Sequence, residues 1–295
     1  MKIVVTGGRG FIGSHFVEEA LKRGWKITDI DCMTYAAHEE LPWDEHKNYK
    51  LIKEDIATLK SLPKCDYVIN FAAESHVDNS IRDTEPFIHS NIIGVHNLLQ
   101  LVRGKEKYDR PVFFQISTDE VYGDIEHGSF VETDTLKPSN PYSATKASAE
   151  MLVLSYARTY GLEYIITRSG NNYGSRQYEE KLIPKCIESI TNNKKIPIHG
   201  DGSYVRDWTH VKDNVSALIH LIEGGYKNQV FNIAAQNHLT NLEVVDIILG
   251  WYGKDREMIE FVPNRWGQDT RYSINTDKIL ETGWKPIRLG GIHRD

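Results

Sequence analysis

Apolar residues in the first 170 positions come in two spacings. Short β-branched runs recur at 2–6, 26–31, 50–53, 67–71, 112–117 and 164–168, apolar on consecutive positions as expected of strands covered on both faces. Between them, 13–24, 85–102 and 142–160 carry apolar residues at helical spacing, for example Ile88, Ile92, Val95, Leu99 and Val102. This alternation predicts an α/β architecture with a doubly wound parallel sheet. After Ser169 the texture turns polar and turn-rich, as at 191–195 and 199–203, and predicts a smaller α+β lobe. One further apolar run, 230–233, is expected to return to the sheet. The expected division is therefore 1–168, joined by a returning segment near 207–235, against 169–206 and 236–295.

Composition narrows the partners. Of 295 residues, 35 are Lys or Arg and 41 Asp or Glu, a net charge of −6 that speaks against a nucleic-acid surface and for small-molecule ligands. Cys32, Cys65 and Cys186 are odd in number and far apart, which suits neither a disulfide framework nor a zinc site. The aliphatic run at Ile3–Val5 is too short for a secretory signal core, and no eighteen apolar residues stand together. The expectation is a cytoplasmic protein without a membrane partner.

Directly after the first predicted strand stands Thr6-Gly7-Gly8-Arg9-Gly10-Phe11-Ile12-Gly13, with a predicted helix following. Glycines at this spacing let the chain turn tightly, approach a pyrophosphate and pack helix on strand, and the helix N-terminus offers free N–H groups to the anion. Asp31 ends the second strand 18 residues past Gly13, where a carboxylate can accept from ribose hydroxyls. Cys32, not arginine, follows it, favouring NAD over its 2′-phosphate. These features predict a Rossmann-type domain with NAD held by Gly7, Gly10, Phe11, Ile12, Gly13 and Asp31. Asp55, Ile56, Ala72 and Ala73, at the ends of later strands, are expected to join them.

Tyr142 and Lys146 stand four apart after Pro141, on one face of a predicted helix, and a cation there is expected to lower the phenol pKa toward that of a general base. The same spacing at Tyr49 and Lys53 runs into a strand, where residues four apart do not couple. The strand at 112–117 delivers Thr118, Asp119 and Glu120 to the same sheet edge. Adjacent carboxylates in different environments can take opposite acid and base roles. His199 and His210 lack ligand spacing and are read as structural; no metal is expected.

The stretches TGGRGFIGS, IDCMTYA, FAAESHVDNSI, STDEVYGD, NPYSATKASAEMLV, NNYG with EKLIPK, IPIHGDGSYVRDW and NRWGQDTRY together resemble the extended short-chain dehydrogenases/reductases, and within them the nucleoside-diphosphate-glucose 4,6-dehydratases. The resemblance implies a hydro-lyase of deoxysugar biosynthesis acting on dTDP-glucose or UDP-glucose. It implies that Tyr142, with Lys146 and Thr118, removes the 4-hydroxyl proton while hydride passes to NAD. Glu120 then takes the C5 proton and Asp119 protonates the departing C6 hydroxyl. It also implies sugar-nucleotide contacts from Ser75, Thr118, Asn171, Lys181, Leu182, Pro197, His199, Arg206, Asn241 and Arg265. Apolar residues on more than one face of the helices at 85–102 and 142–160, together with the resemblance, imply a homodimer. Three departures stand out: Ser175 after NNYG in place of proline, Tyr178-Glu179-Glu180 in place of Phe/Tyr-Pro-Glu, and Gln268 in place of histidine. A 4-epimerase or decarboxylase of the same superfamily, and a non-catalytic NAD-binding module, remain as alternatives.

Overall fold

The computed structural model describes residues 1–264, 267 and 269–294. In chain order the elements are β1 (Lys2–Thr6), α1 (Phe11–Lys22), β2 (Lys26–Ile30), β3 (Tyr49–Ile52), β4 (Tyr67–Asn70), α2 (Val77–Arg82) and α3 (Glu85–Ile88). A π-helical stretch, His89–Gly94, leads into α4 (Val95–Arg103), followed by β5 (Val112–Thr118), α5 (Pro141–Tyr160), β6 (Tyr164–Ser169) and β7 (Asn171–Tyr173). Then come α6 (Leu182–Thr191), β8 (Ile196–His199), β9 (Val205–His210), α7 (Val211–Glu223), β10 (Gln229–Ile233), β11 (His238–Thr240), α8 (Asn241–Trp251), β12 (Ile259–Val262) and α9 (Asp277–Glu281).

Seven strands form one parallel sheet in the order β10-β6-β5-β4-β1-β2-β3. Its two faces explain the consecutive apolar runs. Ile3, Val5, Ile69 and Phe114 pack toward α1 and α7, whereas their neighbours Val4, Val68 and Phe113 pack toward α4 and α5. The chain winds outward in both directions from β1 and β4, so the loops after these two strands part and leave a crevice at their carboxyl ends. Thr6, Asn70 and Gln115 cross its floor as a buried ladder, Thr6 Oγ1 donating to Asn70 Oδ1 at 2.6 Å and Asn70 Nδ2 to Gln115 Oε1 at 3.0 Å.

The expected helix at 85–102 is the main local correction. It is three consecutive pieces, and the π-helical turns insert extra residue per turn and rotate the apolar face. Ile88 is consequently exposed, while Val95, Leu99 and Val102 are buried. Gly94 sits where this helix crosses Ile56: an added Cβ would lie 2.6 Å from the Ile56 side chain.

Beyond β6 lie a three-stranded sheet, β11-β9-β7, and a two-stranded one, β12-β8. Their core gathers Tyr173, Ile183, Ile196, Trp208, Val244 and Ile248. The returning strand is β10, parallel to β6 at the sheet edge. No helix among the described residues is long and apolar enough to cross a membrane.

Candidate active site

A cleft of about 310 Å³ opens over the crevice. Gly7, Gly10, Phe11, Ile12, Gly13, Asp31, Asp55, Ile56, Ala72, Ala73 and Ser75 line it, together with Thr118, Asp119, Glu120, Tyr142, Lys146, Asn171 and Lys181. The glycines have different reasons to be there. Gly7 has φ +72° and a Cβ would lie 2.6 Å from the Ala72 nitrogen; at Gly13 it would lie 2.2 Å from the Gly7 carbonyl oxygen. At Gly10 a Cβ would meet only the Gly7 oxygen, at 3.4 Å, so the fold itself does not require glycine there. Gly10 is the N-cap of α1, whose first turn carries neither a side-chain cap nor an acid.

Two carboxylates of β2 and its end shape this loop from below. Asp29 Oδ1 accepts from the Gly8 N–H at 2.9 Å, and Asp31 Oδ2 accepts from the Arg9 N–H at 3.0 Å. Asp31 Oδ1 accepts from the Met33 N–H at 2.8 Å, and burial raises its carboxyl above the usual range. Asp29 is wholly buried and is pushed up to about 7 by desolvation, although it also accepts from the Tyr49 hydroxyl at 2.8 Å. Tyr49 is thus a structural support, as its strand context implied. The Arg9 guanidinium is spent inside the protein, on Asp44 and on the carbonyls of His38 and Glu39.

At the catalytic end, α5 begins with a capping box: Asn140 Oδ1 accepts from the Ser143 N–H at 2.9 Å and Ser143 Oγ from the Asn140 N–H at 3.3 Å, with Pro141 in the first turn. The same Asn140 reaches Glu120 through Nδ2 at 3.4 Å, so the start of the helix and the carboxylate share one anchor. Thr118 caps the 3₁₀ turn Asp119–Tyr122, accepting from the Glu120 N–H at 3.3 Å, and its hydroxyl donates to Asp119 Oδ1 at 3.2 Å. Asp119 is 2 % exposed and its Oδ2 has no hydrogen-bond partner among the described residues. Burial first, then the charge of Glu120, drives its carboxyl well above the usual range, against the opposing pull of Arg206.

The expectation for Tyr142 is corrected. Its phenol is pushed up, by burial and then by Glu120 and Asp119, with only a hydrogen bond with Thr118 acting to lower it. Lys146 does not offset this, because its Nζ donates to the Ile116 carbonyl at 2.6 Å and its own ammonium is driven down to about 8 by burial.

The remaining expected contacts are dispersed. Leu182, Pro197, His199, Arg206 and Asn241 are not among the cleft-lining residues. Arg206 is 6 % exposed, donates to the carbonyls of Val205 and Asp269 at 2.8 Å each, and stacks over Tyr272. His199 Nδ1 lies 3.0 Å from the Pro263 oxygen, and His210 caps α7 by accepting from the Lys212 N–H. Arg265 and Gln268 lie outside the described residues. Sequence reasoning missed Gln177 and Tyr178 in the cleft wall and Asn91 behind it. Asn91, in the π-helical stretch, donates to Thr145 Oγ1 and the Glu74 carbonyl and accepts from the Glu74 N–H, tying the loop after β4 to α5. The departures at Ser175 and at Tyr178-Glu179-Glu180 flanked or included the first two; nothing in the local pattern marks Asn91.

The low-salt glycan biosynthesis protein Agl12 of Haloferax volcanii is 44 % identical over 293 residues, which is 97 % of this chain and 94 % of that protein. The dTDP-glucose 4,6-dehydratase of Mycolicibacterium smegmatis is 38 % identical over 296 residues, 97 % of this chain and 88 % of that one. The solved structure of DesIV, a dTDP-glucose 4,6-dehydratase from Streptomyces venezuelae with NAD bound, matches with a TM-score of 0.93 at 36 % identity, covering 98 % of this chain and 92 % of that chain. The sequence profile described as GDP-mannose 4,6 dehydratase matches residues 4–288, which take in the glycine loop, the acid pair and the Tyr142 helix alike, and the chain belongs to that family.

Proposed function

We propose that this protein is a NAD-dependent sugar-nucleotide 4,6-dehydratase, a hydro-lyase that converts dTDP-glucose or UDP-glucose to the 4-keto-6-deoxy sugar nucleotide. The observation that carries the reading is the acid pair: buried Asp119, its carboxyl driven well above the usual range, next to Glu120, in the cleft that also contains Tyr142. An oxidation alone has no use for a second carboxyl group, whereas eliminating water needs one group to take a proton and another to give one.

The cleft fits the cofactor on its own geometry. Gly10 leaves the N-terminus of α1 open where the fold would tolerate a side chain, which suits a pyrophosphate, and Asp31 beside it suits ribose hydroxyls. NAD, when bound, supplies a hydride acceptor for the sugar and a donor for the hydride's return. The protein's own groups handle the protons. Tyr142, hydrogen-bonded with Thr118, takes the proton of the 4-hydroxyl in its phenolate form, the minor form under the raised pKa. The resulting 4-ketone acidifies the C5–H, which Glu120 removes. Asp119 gives its proton to the C6 hydroxyl, which leaves as water.

Residues 1–168 with the return through 207–235 are read as the cofactor half, and 169–206 with 236–295 as the sugar-nucleotide half. Ser75, Asn171 and Lys181 would meet the nucleotide from the cleft wall, with Leu182, Pro197, His199, Arg206 and Asn241 beyond it. The adjacent helices α3 to α5 leave Ile88, Ile93, Met151 and Tyr160 exposed, which supports a homodimer. Three free cysteines suit the cytoplasm.

The test is to give the purified protein dTDP-glucose and UDP-glucose side by side and to follow the sugar nucleotide by mass spectrometry. Loss of one water from either, with no net reduced NAD, is the expected result. An unchanged mass with inversion at C4 would identify an epimerase, and no turnover of either would leave a binding module.

A further inference from the structure

Residues 174–181, between β7 and α6, leave the second lobe and reach across to the other side of the cleft. Gln177, Tyr178, Glu180 and Lys181 line the same cleft as Gly10 and Asp31. The segment is gripped from the cofactor side at Ser175, Arg176, Tyr178, Glu180 and Lys181. The Ser175 carbonyl accepts from His15 Nε2 at 2.8 Å, and the Arg176 carbonyl accepts from His38 Nε2 at 3.0 Å. The Tyr35 hydroxyl donates to Glu180 at 3.3 Å, its ring meets Tyr178 edge-on, and Lys181 Nζ donates to the Ser75 carbonyl at 3.0 Å.

Arg176 is the centre of this grip. Its guanidinium pairs with Glu18 of α1, donates to His15 Nδ1 at 2.9 Å and lies 5.2 Å from the Trp43 ring. His15 therefore stands as the neutral Nε2–H tautomer, donating to the Ser175 carbonyl and accepting from Arg176. The backbone gives the second indication. Arg176 has φ +66°, in the left-handed region that glycine enters without strain and arginine does not. A strained arginine directly before the cleft-lining Gln177 and Tyr178 implies that its side chain has work which glycine could not do.

We propose that residues 175–181 form a strap over the dinucleotide cleft and that Arg176 is a positioning residue that holds the strap on α1 and sets how slowly NAD leaves. This rests on the NAD-dependent reading given above. The strap closes the wall opposite the glycine loop, so a dinucleotide lying from Gly10 to Tyr142 is released through loss of the contacts made by Arg176, Tyr35 and Lys181.

The test compares wild type, Arg176→Gly, Arg176→Lys and Glu18→Gln. Each is loaded with NAD and freed of excess by gel filtration, and release is followed by exchange with a fluorescent NAD analogue. Thermal melting of the NAD-free proteins is measured in parallel. Arg176→Gly is expected to release NAD about tenfold faster, the equivalent of one charge-assisted hydrogen bond. Its NAD-free melting temperature is expected to hold or rise, since glycine relieves the backbone. Arg176→Lys should fall between the two and Glu18→Gln should repeat the effect. Wild-type release from Arg176→Gly, or faster release accompanied by a matching loss of NAD-free melting temperature, overturns the strap. A wild type that binds no NAD overturns the functional reading itself.

Discussion

Asp119 and Glu120 are neighbours in sequence with unequal surroundings: Asp119 is buried with an unpartnered oxygen, and Glu120 is only partly buried and tied to Asn140. The folded protein keeps the Asp119 proton at pH values where an unfolded chain has lost it. Stability contributed by this group is therefore complete below the ordinary carboxylate pKa and falls as pH rises from there through the raised folded-state pKa. Asp119→Asn keeps the neutral, hydrogen-bonding side chain and removes the titration. Its melting temperature should equal or exceed that of wild type at neutral pH and decline less between acid and neutral pH. Elimination of water should drop by about 10²- to 10⁴-fold, the range for loss of a general acid. An Asn variant with wild-type turnover would remove Asp119 from its role. At this scale the candidate site was legible because the acid pair, Thr118, Tyr142 and Lys146 lie in short contiguous runs at an element boundary. What the runs could not reveal was the sign of the Tyr142 shift, which depends on the Lys146 ammonium being committed to the Ile116 carbonyl.

At the scale of elements, the first β-α unit separates the demands of folding from those of binding. A methyl group at Gly13 would collide with the backbone of Gly7 and Gly8, which cannot yield without dismantling the turn. Gly13→Ala should cost about 1–3 kcal/mol of stability, in the range of overpacked interiors, read from denaturant midpoints. Gly10→Ala has only an ordinary contact to make, so its unfolding should stay close to wild type while NAD affinity, measured by calorimetry, falls about tenfold or more through lost access to the α1 N-terminus. Equal losses of stability in both variants would contradict this division. The seven strands of the large sheet and the helices α1 and α5 were readable to within two residues from periodicity, whereas the five strands of the smaller sheets were not. The π-helical stretch was not either: Ile88, Ile92 and Val95 fit a regular helix on paper, and the approach of Gly94 to Ile56 and the bridging by Asn91 accompany the underwound turn there.

For the whole molecule, the apolar side chains left on the surface of α3 to α5 bear on assembly. Ile88, Ile93, Met151 and Tyr160 are each more than a third exposed, and their burial against a second copy would resemble a helix-on-helix interior. Light scattering should give twice the chain mass for wild type. Ile93→Glu, which places a charge in that apolar surface, should shift the protein to monomer; a monomeric wild type would end the dimer reading. The second lobe was the least legible part of the chain. Arg206, His199 and Asn241 were chosen from motifs, yet their surroundings are set by strands far away in sequence: Arg206 is enclosed by the 269–272 stretch, and His199 meets Pro263.

The path of the backbone between the lobes has one more implication. The chain leaves the seven-stranded sheet after β6, comes back through β9 and α7 to lay down β10, and leaves again toward β11, α8 and β12 before α9 packs on β10. What looks like a separate lobe is thus a pair of excursions from one continuous scaffold. The first begins and ends on the seven-stranded sheet, the second begins on it and ends at α9 against β10, and neither contains Asp119, Glu120, Tyr142 or Lys146. If these excursions hold the sugar nucleotide as proposed, grafting either one from a relative is expected to change nucleotide preference while the proton-handling groups stay in register, which would make selectivity transplantable one excursion at a time.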